Sequence, residues 1–178
     1  MQKDELPIFE TERLRAHRWR VDLAEQALEI YSDSHVTRHI SKMHCQTLQE
    51  MIAKLEWAVE RNTQWDEPFG SFPVFSKSSD QLVGTALIKN LPDQAGNLTD
   101  DIEIGWHLGR RYWGQGFATE FGNELIRIGF DQGLSVVYAV TDLENSASQA
   151  VCKRLGMKNL GQSEKYYGQR LELFEIRQ

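Results

Sequence analysis

This chain of 178 residues has only two cysteines, no long apolar run and no excess of basic residues. Its two cysteines, Cys45 and Cys152, lie far apart in sequence, which excludes a disulfide framework and a Cys-x-x-Cys metal site. No run of about 18 apolar residues occurs, and none follows the charged N-terminal stretch, so we expect neither a membrane span nor a signal peptide. These features predict a soluble protein of the reducing cytoplasm.

The charge balance excludes a further class. The chain has 20 Lys and Arg against 26 Asp and Glu, a formal net charge of -6, whereas proteins that grip nucleic-acid phosphates need positive charge. A nucleic-acid-binding module is therefore disfavoured, and a cationic substrate would suit the chain better. The length suffices for one core, so we expect a single domain over residues 1–178.

Hydrophobic spacing predicts two helices in the first third of the chain. The first runs from Asp22, a candidate N-cap, to about Ser32. The second is better marked, because Thr47 and Glu50 match a capping box ahead of an apolar stripe that ends near Asn62.

A hairpin and a strand are predicted next. Segments 71–76 and 81–88 flank a polar turn and indicate an antiparallel hairpin, and a loop over 92–100 follows. The segment 101–108 alternates in polarity, as a strand with one buried face does. One face carries Ile102, Ile104, Trp106 and Leu108, and the other carries Asp101, Glu103, Gly105 and His107.

The last third predicts helices and strands in alternation. The run 136–140 is apolar without alternation, which is typical of a strand buried on both faces. Strands first, a strand-helix-strand-helix middle and a final hairpin indicate a mixed α/β sheet. The remaining elements are helices over 117–132, ending at Gly133, and over 145–155, and strands over 157–162 and 171–176.

The strongest chemical signal is the glycine-rich segment 110–120, between the alternating strand and a helix. Gly114 and Gly116 permit positive φ and remove side chains that would keep a ligand away, so successive N–H groups can turn toward one point. That point lies at a helix N-terminus, which favours a pyrophosphate. The segment is neither a Walker loop nor a Gly-x-Gly-x-x-Gly motif.

Arg111-x-x-Gly114-x-Gly116 resembles the pyrophosphate-binding motif of the GNAT superfamily of N-acetyltransferases. The preceding EIGWHL, the downstream Asn145-x-x-Ser148 and the Leu155-Gly156-Met157 ending are similar to the Rim-type branch, which acetylates ribosomal-protein N-termini. The resemblance implies an α/β (α+β) GNAT-like sheet, mixed and mostly antiparallel, of six to seven strands with about four helices and a splayed central strand pair.

The same resemblance implies acetyl-CoA as co-substrate, bound in the splayed gap between segments 101–108 and 136–140. The backbone of Trp106, His107 and Leu108 would then pair with the pantetheine arm. Asn145 would contact the pantetheine side, and Lys153 would reach the nucleotide end. The pyrophosphate would be held by backbone amides of the loop and helix start, at Arg111, Trp113, Gly114, Gln115, Gly116, Phe117 and Ala118.

Catalysis requires a group that accepts the proton of the amine. Glu103 is the candidate base, because it lies on the polar face of its strand just before the acetyl-binding stretch. A structural carboxylate or an ordered water remains an alternative, and His107 is a weaker one because a polar-face histidine is usually exposed. A backbone N–H near Trp106 or His107 is expected to polarise the thioester oxygen.

The leaving thiolate needs a proton, and the Rim-type resemblance points to Ser148, one turn after Asn145. A first-turn serine that satisfies backbone amides is the structural alternative. Many GNAT enzymes instead use a tyrosine late in the chain. Tyr166 and Tyr167 are both candidates for this tyrosine, and the sequence does not decide between them. Cys152, inside a predicted helix, fits a buried apolar residue better than a nucleophile.

We therefore predict an acetyl-CoA-dependent N-acetyltransferase that acts by direct attack on a primary amine in a ternary complex. A protein N-terminus is the leading acceptor, and a polyamine, an amino acid or an aminoglycoside-like amine is the alternative. A CoA-binding sensor without turnover and a homodimer both stay open. No metal is expected at His35, His39 and His44, since no third ligand has a fixed spacing. In proteins of this fold, acceptor pockets lie near the second helix and first hairpin, which here are bordered by Trp57, Trp65, Phe69, Phe72 and Phe75. Taken singly, each of these fits a core residue better. Acidic neighbours could attract a cationic acceptor, although surface loops are commonly acidic: Asp66, Glu67, Asp93, Asp100 and Asp101.

Overall fold

A computed structural model describes residues 6–178, so the first five residues of the N-terminal stretch lie outside the description. The described chain forms one eight-stranded sheet in the order β1-β2-β3-β4-β5-β6-β8-β7. Strands β5 and β6 are parallel, and every other neighbouring pair is antiparallel. The strands are β1 (Phe9–Glu10), β2 (Leu14–Ala16), β3 (Gly70–Ser76), β4 (Leu82–Pro92), β5 (Leu98–Leu108), β6 (Val136–Thr141), β7 (Lys158–Ser163) and β8 (Leu171–Arg177).

Five α-helices accompany the sheet within the described residues: α1 (Ala24–Tyr31), α2 (Ser34–Thr37), α3 (Leu48–Asn62), α4 (Phe117–Asp131) and α5 (Ser146–Arg154). The predicted capping box of α3 is confirmed, because Thr47 and Glu50 satisfy each other's backbone N–H groups. None of the helices in residues 6–178 is long and apolar enough to cross a membrane.

The two faces of the sheet are covered by different helices. Helices α4 and α5 bury Phe121, Leu125 and Cys152 in one core with Ile104 of β5. Helices α1 and α3 form a second core on the other face, where Tyr31 and Met51 are almost fully buried. The predicted alternation of β5 is confirmed: Ile102 and Ile104 enter the α4 side, and Glu103 and His107 contact groups on the opposite side.

Three local expectations are corrected. Asp22 is not an N-cap, because it lies inside a 3-10 turn (Val21–Leu23) and its carboxylate binds Arg20 instead. Strand β6 is not buried on both faces: Val137, Ala139 and Thr141 are buried, whereas the alternate residues are half-buried. The predicted loop over 92–100 is shorter than expected and covers only residues 93–97, since β4 extends to Pro92 and β5 begins at Leu98.

The predicted splay lies at the centre of the sheet. Glu103 and Tyr138 form the pair in register between β5 and β6. Beyond this pair the two parallel strands diverge, although β5 continues to pair with β4 as far as Leu108. The fold therefore opens a gap between the C-terminal ends of β5 and β6.

Candidate active site

The gap between β5 and β6 is a narrow cavity lined by residues of three elements. Ile104, Gly105 and Trp106 line one wall, and residues 139–141 with Ser148 line the other. The Thr141 hydroxyl is buried in this wall and has no hydrogen-bond partner within the described chain. Because a buried hydroxyl normally has a partner, this group is suited to a polar ligand that enters the gap. The sequence pattern did not single out Thr141.

The glycine-rich loop lies between the end of β5 and α4. Gly114 and Gly116 have φ of +74° and +79°, in the left-handed region that favours glycine, and space is open where a Cβ of Gly114 would be. From Gln115 to Thr119, no backbone N–H donates a hydrogen bond within the described residues. These amides and the start of α4 form the anion-binding geometry that the sequence predicted.

Side chains hold the carbonyl groups of this loop. Trp113 Nε1 donates to the Leu108 carbonyl at 2.8 Å, and Gln115 Nε2 donates to the Arg111 carbonyl at 2.8 Å. The Gln115 carbonyl accepts from Arg13 Nη1 at 2.9 Å. With its carbonyls bound in this way, the loop presents N–H groups rather than oxygens to an incoming anion.

Arg13 fixes the loop from the N-terminal part of the chain. Its Nε donates to Glu120 at 2.6 Å, and its guanidinium lies 4.6 Å from the centre of the Phe117 ring. Thr11 Oγ1 also donates to Glu120, at 2.5 Å. Sequence analysis missed this clamp, because nothing near Arg13 indicates a partner more than 100 residues away.

The predicted cofactor-binding residues lie around the gap and the loop, although their side chains have different surroundings. Trp106 and Leu108 pack partly buried against the α4-side core, and Phe117 and Ala118 are buried in it. Arg111 is exposed, pairs with Glu29 at 3.5 Å and covers Tyr112. Arg111 would thus contribute to pyrophosphate binding through its backbone amide rather than its side chain.

Helix α5 brings Asn145 and Ser148 to the opposite wall of the gap. Asn145 is the N-cap, and its Oδ1 accepts from the Ser148 N–H at 3.1 Å. The Ser148 hydroxyl lies at the gap and donates to nothing in residues 6–178. Lys153 is exposed on the last turn of α5, away from the gap itself.

Glu103 is buried, with a 4% exposed fraction, at the point where β5 and β6 separate. The Tyr167 hydroxyl donates to Glu103 Oε1, and Lys89 Nζ lies 3.5 Å from the same oxygen. Burial raises the pKa of Glu103 above its ordinary value, while Lys89 and Tyr167 oppose that rise. A held carboxylate with a raised pKa is the property that a general base requires.

His107 departs from expectation, since it is not an exposed histidine. Its Nδ1 lies 3.1 Å from the Tyr31 hydroxyl, which also bonds Thr85 at 2.7 Å. Burial lowers the pKa of His107 to about 4, and the charge of Lys89 adds to this effect. The imidazole is therefore neutral near pH 7.

The two late tyrosines have different partners. Tyr166 is buried, and its hydroxyl donates to Asp101 at 2.7 Å, where Lys165 also pairs with the carboxylate. Tyr167, at φ of +61°, contacts Glu103. The structure thus distinguishes the two residues, which the sequence alone did not.

The remaining candidate groups have structural partners. His39 pairs with Asp142 at 3.1 Å and His44 contacts Thr37 at 3.0 Å, and residues 6–178 contain no cluster of three metal-ligating side chains. Cys45 and Cys152 are free and buried, and burial raises the pKa of Cys152 to about 12. Neither thiol is activated as a nucleophile.

The predicted aromatic acceptor region is divided between core and surface. Phe72 and Phe75 are core residues, whereas Trp57 is 57% exposed. Trp65 and Phe69 line a separate groove of about 470 Å³ beside residues 17–20 and the end of α3. Only part of the predicted aromatic set is thus available to an acceptor.

Comparison with known proteins assigns the family. A family model described as the acetyltransferase (GNAT) domain matches residues 13–158. The chain therefore belongs to the GNAT acetyltransferase family and is an acyltransferase by class. It is similar to the N-acetyltransferase p20 of Bacillus licheniformis, with 25% identity over 173 residues that cover 93% of this chain and 90% of the relative.

Solved structures agree in fold. A GNAT-family acetyltransferase from Bacillus anthracis superposes with a TM-score of 0.74 at 22% identity, covering 94% of this chain and 96% of that one. RimL, a ribosomal L7/L12 alpha-N-protein acetyltransferase in complex with coenzyme A, superposes with a TM-score of 0.75 at 13% identity, covering 97% and 98%. The predicted GNAT fold is confirmed, and RimL of the Rim-type branch shares this fold.

Proposed function

We propose that the chain transfers an acetyl group from acetyl-CoA to a primary amine by direct attack in a ternary complex. The residues present fit the co-substrate: the free amides from Gln115 to Thr119 suit its pyrophosphate, and the gap with the Thr141 hydroxyl suits its pantetheine arm. When bound, acetyl-CoA supplies the activated acetyl group.

The placement of Glu103 carries the proposal. This buried carboxylate lies where β5 and β6 part, so an amine that reaches the gap from the α3 side meets it. Glu103 accepts the proton of the amine, directly or through one water molecule, while Tyr167 and Lys89 hold the carboxylate. The raised pKa of Glu103 improves the match between base and amine.

Ser148 and the backbone of β5 complete the proposed mechanism. The Ser148 hydroxyl lies at the gap and donates a proton to the departing thiolate. A backbone N–H at Trp106 or His107 stabilises negative charge that develops on the acetyl oxygen. Direct attack is supported because both cysteines are buried with raised pKa, which leaves no activated thiol for a covalent intermediate.

The proposed acceptor is an α-amine, such as a protein N-terminus. An α-amine has a pKa near 8, against about 10.4 for lysine, so a single carboxylate suffices to take its proton. The similarity in fold to RimL, which acts on a ribosomal-protein α-amine, supports this choice.

The test compares Glu103→Gln with a matched variant, Glu175→Gln, which alters another buried strand glutamate that pairs with Arg177. Thiol release is measured with N-terminal peptides, amino acids, spermidine and kanamycin as acceptors, and acetyl-CoA binding is measured by calorimetry. We expect Glu103→Gln to lower kcat by about a hundredfold or more without weakening acetyl-CoA binding. Ser148→Ala should lower kcat less, and Glu175→Gln should retain wild-type turnover.

Two outcomes would contradict the proposal. Unchanged turnover in both Glu103→Gln and Ser148→Ala would remove the catalytic assignment. Acetyl-CoA binding without thiol release for every amine would indicate a sensor rather than an enzyme.

A further inference from the structure

Two cations lie near Tyr167, which holds the candidate base, and they differ in whether a carboxylate neutralises them. Lys89 pairs with Glu103 at 3.5 Å and lies 5.7 Å from the centre of the Tyr167 ring. Its charge is therefore already matched by the base. Arg61, on the last turn of α3, pairs with no carboxylate in the described part of the chain.

Arg61 is held between two indole rings. Its guanidinium carbon lies 4.9 Å from the centre of the Trp57 ring and 5.6 Å from that of Trp65. Trp65 is itself fixed, because its Nε1 donates to Asn90 Oδ1 at 2.8 Å. Asn90 follows Lys89 in β4, so the contacts run from Arg61 to the strand residue beside the base.

The charge of Arg61 reaches the site. Burial and the Glu103 charge raise the pKa of the Tyr167 phenol, and the positive charge of Arg61 opposes them. Arg61 is half-buried, yet within residues 6–178 its guanidinium makes no ion pair or hydrogen bond to a carboxylate. A partly desolvated, pre-oriented guanidinium fork is suited to bind a carboxylate.

Three of the five nearby acids that could attract a cation are already bound. Glu67 pairs with Arg18, and Asp101 pairs with Lys165 and Tyr166. The Asp93 carboxylate accepts from the backbone of its own turn. The other two, Asp66 and Asp100, are exposed to solvent. Arg61 thus remains a half-buried positive charge without an ion pair in the described residues, even though the whole chain is negative.

We propose that Arg61 is a specificity-determining residue that binds a carboxylate of the acceptor while the acceptor amine faces Glu103. The inference rests on the proposed function and refines its substrate class to amines with a carboxylate close to the reacting nitrogen. The exposed indole of Trp57 supplies apolar surface next to the guanidinium for the rest of the acceptor. Polyamines and aminoglycosides, which bring only positive charge, are poor acceptors on this basis.

The carboxylate has two sources, which the experiment separates. Methionine and methioninamide differ in the α-carboxylate, and the blocked tripeptides Asp-Ala-Ala-amide and Asn-Ala-Ala-amide differ in a side-chain carboxylate. Each pair is compared in wild type, Arg61→Gln, Arg61→Lys and the matched control Lys54→Gln, which removes a cation elsewhere on α3. The change in ratio between enzymes is diagnostic, because the amine pKa of each acceptor is the same in all of them.

We expect the carboxylate form of one pair to have a kcat/KM about tenfold or more above that of its neutral form in wild type and Lys54→Gln. Arg61→Gln should abolish the preference through KM, with kcat for the neutral acceptor unchanged, and Arg61→Lys should retain part of it. The pair that responds identifies the source. Equal ratios in wild type and Arg61→Gln for both pairs would overturn the inference while turnover upholds the proposed function.

A second measurement does not depend on turnover. Binding of the same four acceptors to the CoA-saturated protein is followed by tryptophan fluorescence, which Trp57 and Trp65 report. Carboxylate preference that Arg61→Gln removes would support the inference even if no thiol is released. Equal binding of charged and neutral acceptors would overturn it.

Discussion

The proposed donor and acceptor sides of the site are built in different ways. On the donor side, consecutive amides of one loop and the first turn of α4 donate no hydrogen bond within residues 6–178. On the acceptor side, single side chains converge from separate elements: Glu103 from β5, Lys89 from β4, Arg61 from α3 and Tyr167 from the β7–β8 turn.

This difference explains which chemistry a family can retain and which it can change. A backbone site tolerates many side chains as long as its glycines remain, so its ligand is preserved. A site of converging side chains can be altered by one substitution on any contributing element. We therefore expect the donor to be common to the family and the acceptor to be particular to this chain.

The comparison is tested most strongly at the donor loop. The double variant Gly114→Asp, Gly116→Asp adds strain at positive φ and two negative charges facing the bound pyrophosphate. We expect acetyl-CoA affinity to fall by about a hundredfold or more, measured by calorimetry.

The matched control is Gly96→Asp, Gly161→Asp, two other positive-φ positions where a Cβ meets nothing within 4 Å. It carries the same charge and the same kind of backbone strain but lies outside the loop. An equal loss of affinity in the two double variants would mean that backbone strain or added charge is responsible, rather than a change in the glycine-rich loop.

The half-buried imidazole of His107 on the acceptor side predicts a pH-dependent stability. The pKa of His107 is lowered to about 4 from an unfolded value of about 6.5, so the unfolded chain gains a proton that the folded chain refuses in this window. The contribution of His107 to the free energy of unfolding is fully present above pH 6.5. It decreases as the pH falls toward 4, by at most about 3 kcal/mol.

Urea unfolding at several pH values, for wild type and His107→Asn, measures this contribution. The difference in unfolding free energy between the two proteins should fall by that amount from neutral pH to pH 4. A difference that stays constant would show that His107 titrates normally in the folded protein.

Replacing Lys89 is expected to have a smaller effect, which is on the pH dependence of kcat/KM. Burial raises the pKa of Glu103, and Lys89 is the main charge that opposes it, so Lys89→Met should raise that pKa further. Because the proposed base acts when ionised, the acid limb of the kcat/KM profile should move to higher pH by about one unit. Acetyl-CoA affinity should not change, which would show that the donor side is independent of this acceptor-side residue.

Lys77→Met is the control, since Lys77 forms a similar 3.5 Å ion pair with Glu10 at a distance from the gap. Lys89→Arg should restore most of the wild-type profile. A profile that does not move in Lys89→Met would show that Lys89 is structural only.

The elements of the proposed donor side could be predicted because the sequence information for them is local. Strand, glycines and helix follow one another in a single segment, and the periodicity of β5 also assigned Glu103 to the correct face. The partners of Glu103 were not predictable in this way. Lys89 lies opposite Glu103 because of the antiparallel register of β4 and β5, and Tyr167 reaches it from the turn between β7 and β8. Residue spacing along the chain predicts neither contact.

Other omissions have the same cause. Thr141 looks like an ordinary strand residue until β5 and β6 are seen to diverge beside it. The full burial predicted for β6 failed because the strand's alternate face is only partly covered, by residues such as Tyr166.

The contacts of Arg13 affect the order in which parts of this protein form during folding. The proposed co-substrate loop is joined through Arg13 to the turn between β1 and β2, near the start of the described chain. Contacts this distant in sequence form late, because chain closure over a long segment is entropically costly. Capacity to bind acetyl-CoA would then appear only after the N-terminal strand has docked, which makes ligand binding a reporter of complete folding rather than of α4 formation alone.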